Sequence, residues 1–169
     1  EPFQEIAVLA FPAPRGDSDT VAAHAPRVAC TPAVENAAQM CDGDLKTNCL
    51  FPSGAGQGRN PLVVEIELAE PVTARSLVLH PAEAAFGAQC ELQAADETGA
   101  FRTVREFPLD RSNIQINVGP MPFGPVAVAF PPVSSKRFRL LLRSVRGRGG
   151  LAEIELSGAA RLERFVEKQ

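Results

Sequence analysis

The chain has 169 residues, a formal net charge of −3 and basic residues scattered along its length, so it lacks the clustered cationic footprint of a nucleic-acid binder. No apolar run approaches the roughly 20 residues needed to span a bilayer, so neither nucleic acid nor membrane is expected as a partner. The length suits a single domain, residues 1–169, able to bury about 70% of its unfolded surface without cross-links.

The first apolar run, Glu5 to Phe11, is ended by Pro12 and Pro14 and reads as a buried strand. With no initiator methionine and no signal peptide before it, the chain reads as a mature or excised piece of something larger. Arg15 to Pro32 is polar and irregular, and Val34 to Met40 suits two short helical turns. Ser53 to Asn60, with three glycines, is too glycine-rich for a regular element and reads as a mobile surface loop.

From Leu62 the pattern has period two. Val64, Ile66 and Leu68 share one face of a strand, while Glu65 and Glu67 take the other. Glu70-Pro71 breaks that strand, and Ala74 to His80 forms the next. Cys90 to Ala94 alternates, and Asp96 to Gly99 is a hairpin turn into Phe101 to Phe107. Asn113 to Val118 and Val126 to Phe130 add shorter strands. In Arg137 to Arg143, the residues Phe138, Leu140 and Leu142 point inward; Ile154 and Leu156 do so in Ala152 to Leu156. Leu162 to Lys168 suits strand or helix equally. Many short strands, proline and glycine between them and no long helix give an all-β antiparallel sandwich.

Four cysteines, Cys30, Cys41, Cys49 and Cys90, lack the CxxC spacing of a zinc site. Cys90 reads as a buried thiol. Cys41 and Cys49 flank an acidic loop, and their separation permits a disulfide without requiring one.

That loop is Cys41-Asp42-Gly43-Asp44-Leu45-Lys46-Thr47. Asp42, Asp44 and Thr47 offer hard oxygen ligands of the kind Ca²⁺ prefers. An EF-hand would need glutamate at the twelfth position, where Ser53 stands, so a calcium site here must close with residues distant in sequence. Glu153 is the candidate. The alternative is a solvated turn in which Asp42 and Asp44 cap backbone amides and Gly43 supplies a positive φ.

The remaining polar groups carry weaker signals. Glu65 with Glu67 and Glu153 with Glu155 have carboxylates on one strand face, as a glycosidase pair would, but so does any solvent-facing strand. Catalytic residues are therefore not assigned to this chain. His80, at a strand end, and Arg59 and Asn60, in the glycine-rich loop, are candidates for hydrogen bonds to sugar hydroxyls. Arg143, Arg146 and Arg148, set among glycines, form a basic turn suited to an acidic partner surface or a neighbouring domain.

Taken together, several of these segments carry a family resemblance. Asp42-Gly43-Asp44 with Thr47, then Val64 to Leu68 with Pro71-Val72, resembles the opening half of a discoidin-type domain. Leu92 to Asp96 followed by Gly99, Phe101 and Val104 is similar to that family's central hairpin. Phe130 to Val133, Lys136 to Leu140 and Ala152 to Leu156 resemble its closing half, so the likeness covers a core of about 33–158. Glu5 to Pro12 looks like the segment leading into such a domain in bacterial α-L-rhamnosidase-like glycoside hydrolases.

The resemblance implies a galactose-binding-like jelly-roll sandwich within a multidomain sugar hydrolase, in the periplasm or outside the cell. It implies a structural calcium held by the side chains of Asp42, Asp44, Thr47 and Glu153, with Ala152 as a carbonyl donor. Where the family often has tryptophan after the threonine, this chain has Cys49 or Leu50, and it has no Trp or Tyr at all. Sugar rings stack on exposed aromatic faces, which leaves Phe51 and Phe123, beside glycine- and proline-rich loops, as platform candidates. The expected role is a non-catalytic accessory domain that scaffolds a catalytic domain of the same parent chain or positions its substrate. A carbohydrate-binding module recognising a glycan and a protein-interaction domain are the alternatives.

Overall fold

The computed structural model describes residues 20–82, 85–111 and 124–163. The strands expected at 5–11 and 113–118, Phe123 and most of 162–168 lie outside the described residues. Seven strands are described: β1 (Arg27–Thr31), β2 (Cys49–Leu50), β3 (Leu62–Pro81), β4 (Phe86–Ala95), β5 (Phe101–Arg111), β6 (Val126–Gly147) and β7 (Gly150–Ser157). All described pairings are antiparallel, in the order β2-β7-β3-β6-β4-β5 with β1 on the edge of β3.

Two long strands make the sandwich. The first half of β3 pairs with β1 and with the second half of β6, whereas its second half pairs with β7 and the first half of β6. Both strands therefore pass from one layer to the other. The sequence suggests two strands on either side of Glu70-Pro71, and the structure has one strand of 20 residues. Register shifts between Glu67 and Val72, and between Ala74 and Ser76, mark the crossing. Pro71 sits within the first shift, and Pro131-Pro132 of β6 faces the second, so the missing N–H groups remove no ladder hydrogen bond. The same device joins Val126–Phe130 and Arg137–Arg143 into one strand of 22 residues.

The period-two pattern sets the core. Val64, Ile66 and Leu68 on β3, Phe138, Leu140 and Leu142 on β6, and Ile154 and Leu156 on β7 are all buried. The outward face of the first layer is charged: Glu65 stands opposite Arg139 in the ladder and takes hydrogen bonds from both Arg137 and Arg139. Cys90 is buried as expected, and all four cysteines are free thiols. Cys41 and Cys49 are directed to different acceptors, Ile154 O for Cys41 and Glu35 O and Asn36 O for Cys49.

Three local expectations change. Within the polar stretch 15–32 the structure forms a 3-10 turn (Val21–His24) and β1, whose Val28 and Cys30 are half-buried between exposed neighbours. Its backbone is satisfied by the edge of β3, a partner that short apolar pattern could not reveal. The helical segment before the acidic loop is a single 3-10 turn, Ala37–Cys41, that buries Met40 and Cys41. The loop 53–60 is held against β6 rather than left loose. Val145 N–H donates to Gly56 O at 3.1 Å, and two short turns close at Ala55 and Gln57.

Candidate functional site

The acidic loop folds around its own side chains. Asp42 Oδ1 accepts the Asp44 N–H at 2.8 Å, and Asp44 Oδ1 accepts the Lys46 N–H at 2.9 Å. These are successive Asx turns, and Gly43 between them has φ +79°, a conformation that favours glycine. Thr47 Oγ1 donates to Asp44 O at 2.8 Å and lies 3.2 Å from Asp42 Oδ2. The turn geometry is thus complete without any ion.

What the turn does not explain is Glu153. Its side chain is only 1% exposed, and one oxygen, Oε2, accepts the Gly43 N–H at 3.1 Å. The other, Oε1, is buried with no hydrogen-bond partner. Burial pushes its carboxyl up to about 7, and the negative charges of Asp42 and Glu155 push in the same direction. A buried carboxylate with an orphaned oxygen beside Asp42 fits a hard cation in donor chemistry. The fit is not preassembled: among the described residues no three Asp, Glu, His or Cys side chains converge as a ready metal cluster. Ala152, one residue earlier on β7, is buried beside this contact.

A cleft of about 750 Å³ lies elsewhere, at the end of the sandwich where β6 turns into β7. Leu50, Phe51, Pro52 and Val145 contribute to its apolar wall, and Glu35, Ser53, Gln57 and Arg148 are among its polar residues. Loop 53–60 forms one side because Gly56 fits closely under β6. A Cβ there would stand 2.4 Å from Val145 Cγ2 and 2.8 Å from Leu142 O. The β6–β7 hairpin forms the other side, tied down by the Phe51 N–H donating to Gly149 O at 2.9 Å.

The sequence-nominated residues divide between these places. Phe51 lines the cleft but is buried at 7% exposure, edge-on to Phe86 with centroids 6.0 Å apart. A Cβ on Gly149 would lie 2.7 Å from Phe51 Cδ2, so the hairpin backbone covers the ring. Phe51 is therefore wall rather than exposed stacking platform. Arg59 and Asn60 are exposed in the same loop but outside the cleft lining. His80 is bound to Glu155, Nε2 to Oε1 at 2.9 Å, and does not reach the cleft. That contact, working against burial and assisted by Arg161, holds the Glu155 carboxyl below its ordinary range.

Sequence reading passed over Glu35 and Gln57 and saw Arg148 only as part of a basic turn. Glu35 had no periodic signal, because it precedes Asn36 in a left-handed conformation (φ 54°) that no hydrophobic pattern announces. At the far end, near the Asp96–Gly99 turn, smaller grooves of about 490 and 450 Å³ are also present. Several of their charged groups are engaged within the fold: Asp96 binds Arg102, Arg137 binds Glu65 and Lys136 pairs with Glu70.

No family model and no curated protein matches the chain. Among solved structures, it is similar to the family 32 carbohydrate-binding module of Clostridium perfringens NanJ, determined with galactose. The identity is 16% and the TM-score 0.63, over 82% of this chain and 97% of that one. It is similar to a pectin-binding carbohydrate-binding module at 16% identity and TM-score 0.58, over 80% and 92% of the two chains. It also resembles part of a rhamnosidase from Novosphingobium sp. PP1Y at 18% identity and TM-score 0.57, over 83% of this chain but 12% of that one. The long crossing strands, the antiparallel order and these matches together give the chain the galactose-binding-like jelly-roll sandwich fold.

Proposed function

We propose that this chain is a non-catalytic accessory domain of a carbohydrate-active enzyme, positioning substrate by holding a glycan in the cleft beside Phe51. The observation that carries this is the cleft itself: a pocket of about 750 Å³ whose polar residues, Glu35, Gln57 and Arg148 among them, face an apolar wall. Ligand sites commonly combine such a concavity with a few polar groups that fix orientation. The fold supports the reading, since carbohydrate-binding modules share it and one rhamnosidase carries it as a small part of a longer chain.

A catalytic role is disfavoured by chemistry. Glycosidases use two carboxylates flanking the scissile bond. Among the described residues, Glu35 is the single carboxylate lining the cleft. Glu65 is tied to two arginines and Glu155 to His80. An α-L-rhamnosidase-like parent enzyme, exported to the periplasm or beyond, is the context we favour for the domain.

Calcium belongs to the same proposal as a structural ion. Asp42, Asp44, Thr47 and Glu153, with the Ala152 carbonyl, would hold it, tying the acidic loop to β7 and neutralising the buried Glu153 carboxylate. The partnerless Glu153 Oε1 supports this reading. No chemistry is routed through the ion.

The test is titration calorimetry of the intact chain against galactan, rhamnogalacturonan and chitosan oligomers, with a Glu35→Ala/Gln57→Ala variant as control. Binding of one oligomer, weakened by at least about tenfold in the variant at unchanged Tm, is expected. Binding unaffected by the variant would move the site elsewhere. A second reading, scaffolding without glycan contact, is favoured by the exposed Leu45 and Leu50, 55% and 43% accessible, which would suit burial against a catalytic domain. It predicts silence with every oligomer.

A further inference from the structure

We propose that the glycan held in this cleft carries a carboxylate, and that Arg148 binds it and sets a preference for acidic over neutral chains. The inference rests on the cleft being the glycan site.

Most arginines of the sheets are engaged within the fold. Arg137 and Arg139 share Glu65, Arg143 binds Glu91 and Arg105 binds Glu163. Arg148 differs: it lines the cleft with no hydrogen bond or ion pair to any described residue. Its backbone is nevertheless fixed. Gly147 on one side has φ +81°, and a Cβ there would stand 2.4 Å from Ala85 O. Gly149 on the other side is pressed against Phe51, where a Cβ would come within 2.7 Å. The hairpin thus presents one unpartnered guanidinium from a rigid turn over the cleft. A guanidinium offers a planar fork that matches a carboxylate with two parallel hydrogen bonds, and a pre-fixed backbone reduces what ordering it costs.

The other charged group of the lining, Glu35, gives the site polarity. A carboxylate accepts hydroxyl protons well and repels a second carboxylate, so an acidic sugar would seat its acid toward Arg148 and its hydroxyls toward Glu35 and Gln57. The surroundings favour an anion over a cationic amino sugar. Arg146 on the same hairpin is 71% exposed and only 3.9 Å from Asp110, a loose pair, and Arg59 is exposed on the loop that forms the opposite side.

The experiment compares short oligogalacturonides and oligomannuronates with their methyl esters, in which the carboxylate is neutral and the backbone unchanged, and with chitosan oligomers. Wild type should bind at least one free acid about tenfold more tightly than its ester at low salt, and the difference should shrink as salt rises. Arg148→Gln should abolish that preference with Tm unchanged, and Arg148→Lys should restore part of it. Equal binding of acid and ester, or a preference that survives Arg148→Gln, overturns the inference. So does tighter binding of chitosan that is lost in Glu35→Gln. If only neutral galactan oligomers bind, the acidic preference is wrong and the cleft still stands as the site. If no glycan binds, both readings fall.

Discussion

Glu153 Oε2 and the Gly43 N–H meet at 3.1 Å across 110 residues of sequence, joining the acidic loop to the last described strand. The contact leaves Glu153 Oε1 buried without a partner. A cation that bound Oε1 and drew in Asp42 would remove both the orphaned atom and the carboxylate repulsion. Calcium at about 100 times its Kd should stabilise the native state by about 2.7 kcal/mol. The midpoint of thermal unfolding should therefore rise on adding Ca²⁺ and fall again with EDTA, and Asp42→Asn should remove most of the rise. An EDTA-treated protein indifferent to calcium would return the loop to an ordinary Asx turn.

The same carboxyl predicts a pH dependence for the metal-free protein. Its folded pKa is raised from 4.5 to about 7, chiefly by burial. A raised pKa means the fold holds the proton more tightly than the unfolded chain does, so this stabilisation is complete below 4.5 and is lost as pH rises through about 7. Glu65, Glu91, Glu155 and Asp96 run the other way. Their pKa values are lowered, so their stabilisation is present above the ordinary carboxylate range and is lost as pH falls through the folded values. Tm in EDTA should peak between these windows and decline toward neutrality. In Glu153→Gln that alkaline decline should flatten, and an unchanged decline would assign it to some other group.

How much of this was legible in the sequence depended on range. Val64, Ile66, Leu68, Phe138, Leu140 and Leu142 announced their burial because alternation is a property of neighbours along one strand. The failed EF-hand pattern at Ser53 said only that the acidic loop needed a distant partner; Glu153 was singled out through the resemblance to discoidin-type domains, and its contact with the Gly43 N–H had no signal in the sequence. Arg148 and Glu35 come together only through the hairpin and the left-handed Asn36, neither of which has a periodic signature. Phe51 misled for a physical reason: a phenylalanine beside glycines suggests exposure, whereas Gly149 here is small so that its backbone can lie on the ring.

Gly56 supplies a prediction about the cleft wall. Its φ is +70°, and a methyl group would meet Val145 Cγ2 at 2.4 Å and the Leu142 carbonyl at 2.8 Å. The carbonyl cannot move without disturbing β6. Gly56→Ala should therefore destabilise the protein by about 1–3 kcal/mol, the range for forcing an extra carbon into a packed site. Gly54→Ala and Gly58→Ala, at positive φ but with open space around the added carbon, should cost about 1 kcal/mol or less. Urea unfolding of the three variants gives the order directly. Equal losses at all three positions would mean that loop 53–60 is not seated against β6 as described.

Finally, Glu65, Arg137, Arg139 and Phe101 form a unit on the outer face of the first layer. Arg139 Nε binds Glu65 Oε2 at 3.0 Å and its guanidinium lies 3.7 Å from the Phe101 ring centroid; Arg137 binds the other oxygen and sits 5.1 Å from the same ring. Burial tends to raise the Glu65 carboxyl, but the hydrogen bonds and charges of the two arginines outweigh it and hold the pKa below 4.5. Each contact alone is a surface interaction of about 0.5–1 kcal/mol, screened by salt. Both arginines, however, are held over the ring by the same carboxylate, so the contacts should not be independent. Glu65→Gln should weaken the cation–π contacts as well as the ion pairs, and Phe101→Leu should then cost less in the Glu65→Gln background than in wild type. A double-mutant cycle in urea should show a coupling of about 0.5–1 kcal/mol that falls at high salt. Additivity within about 0.3 kcal/mol would reduce the cluster to separate surface pairs.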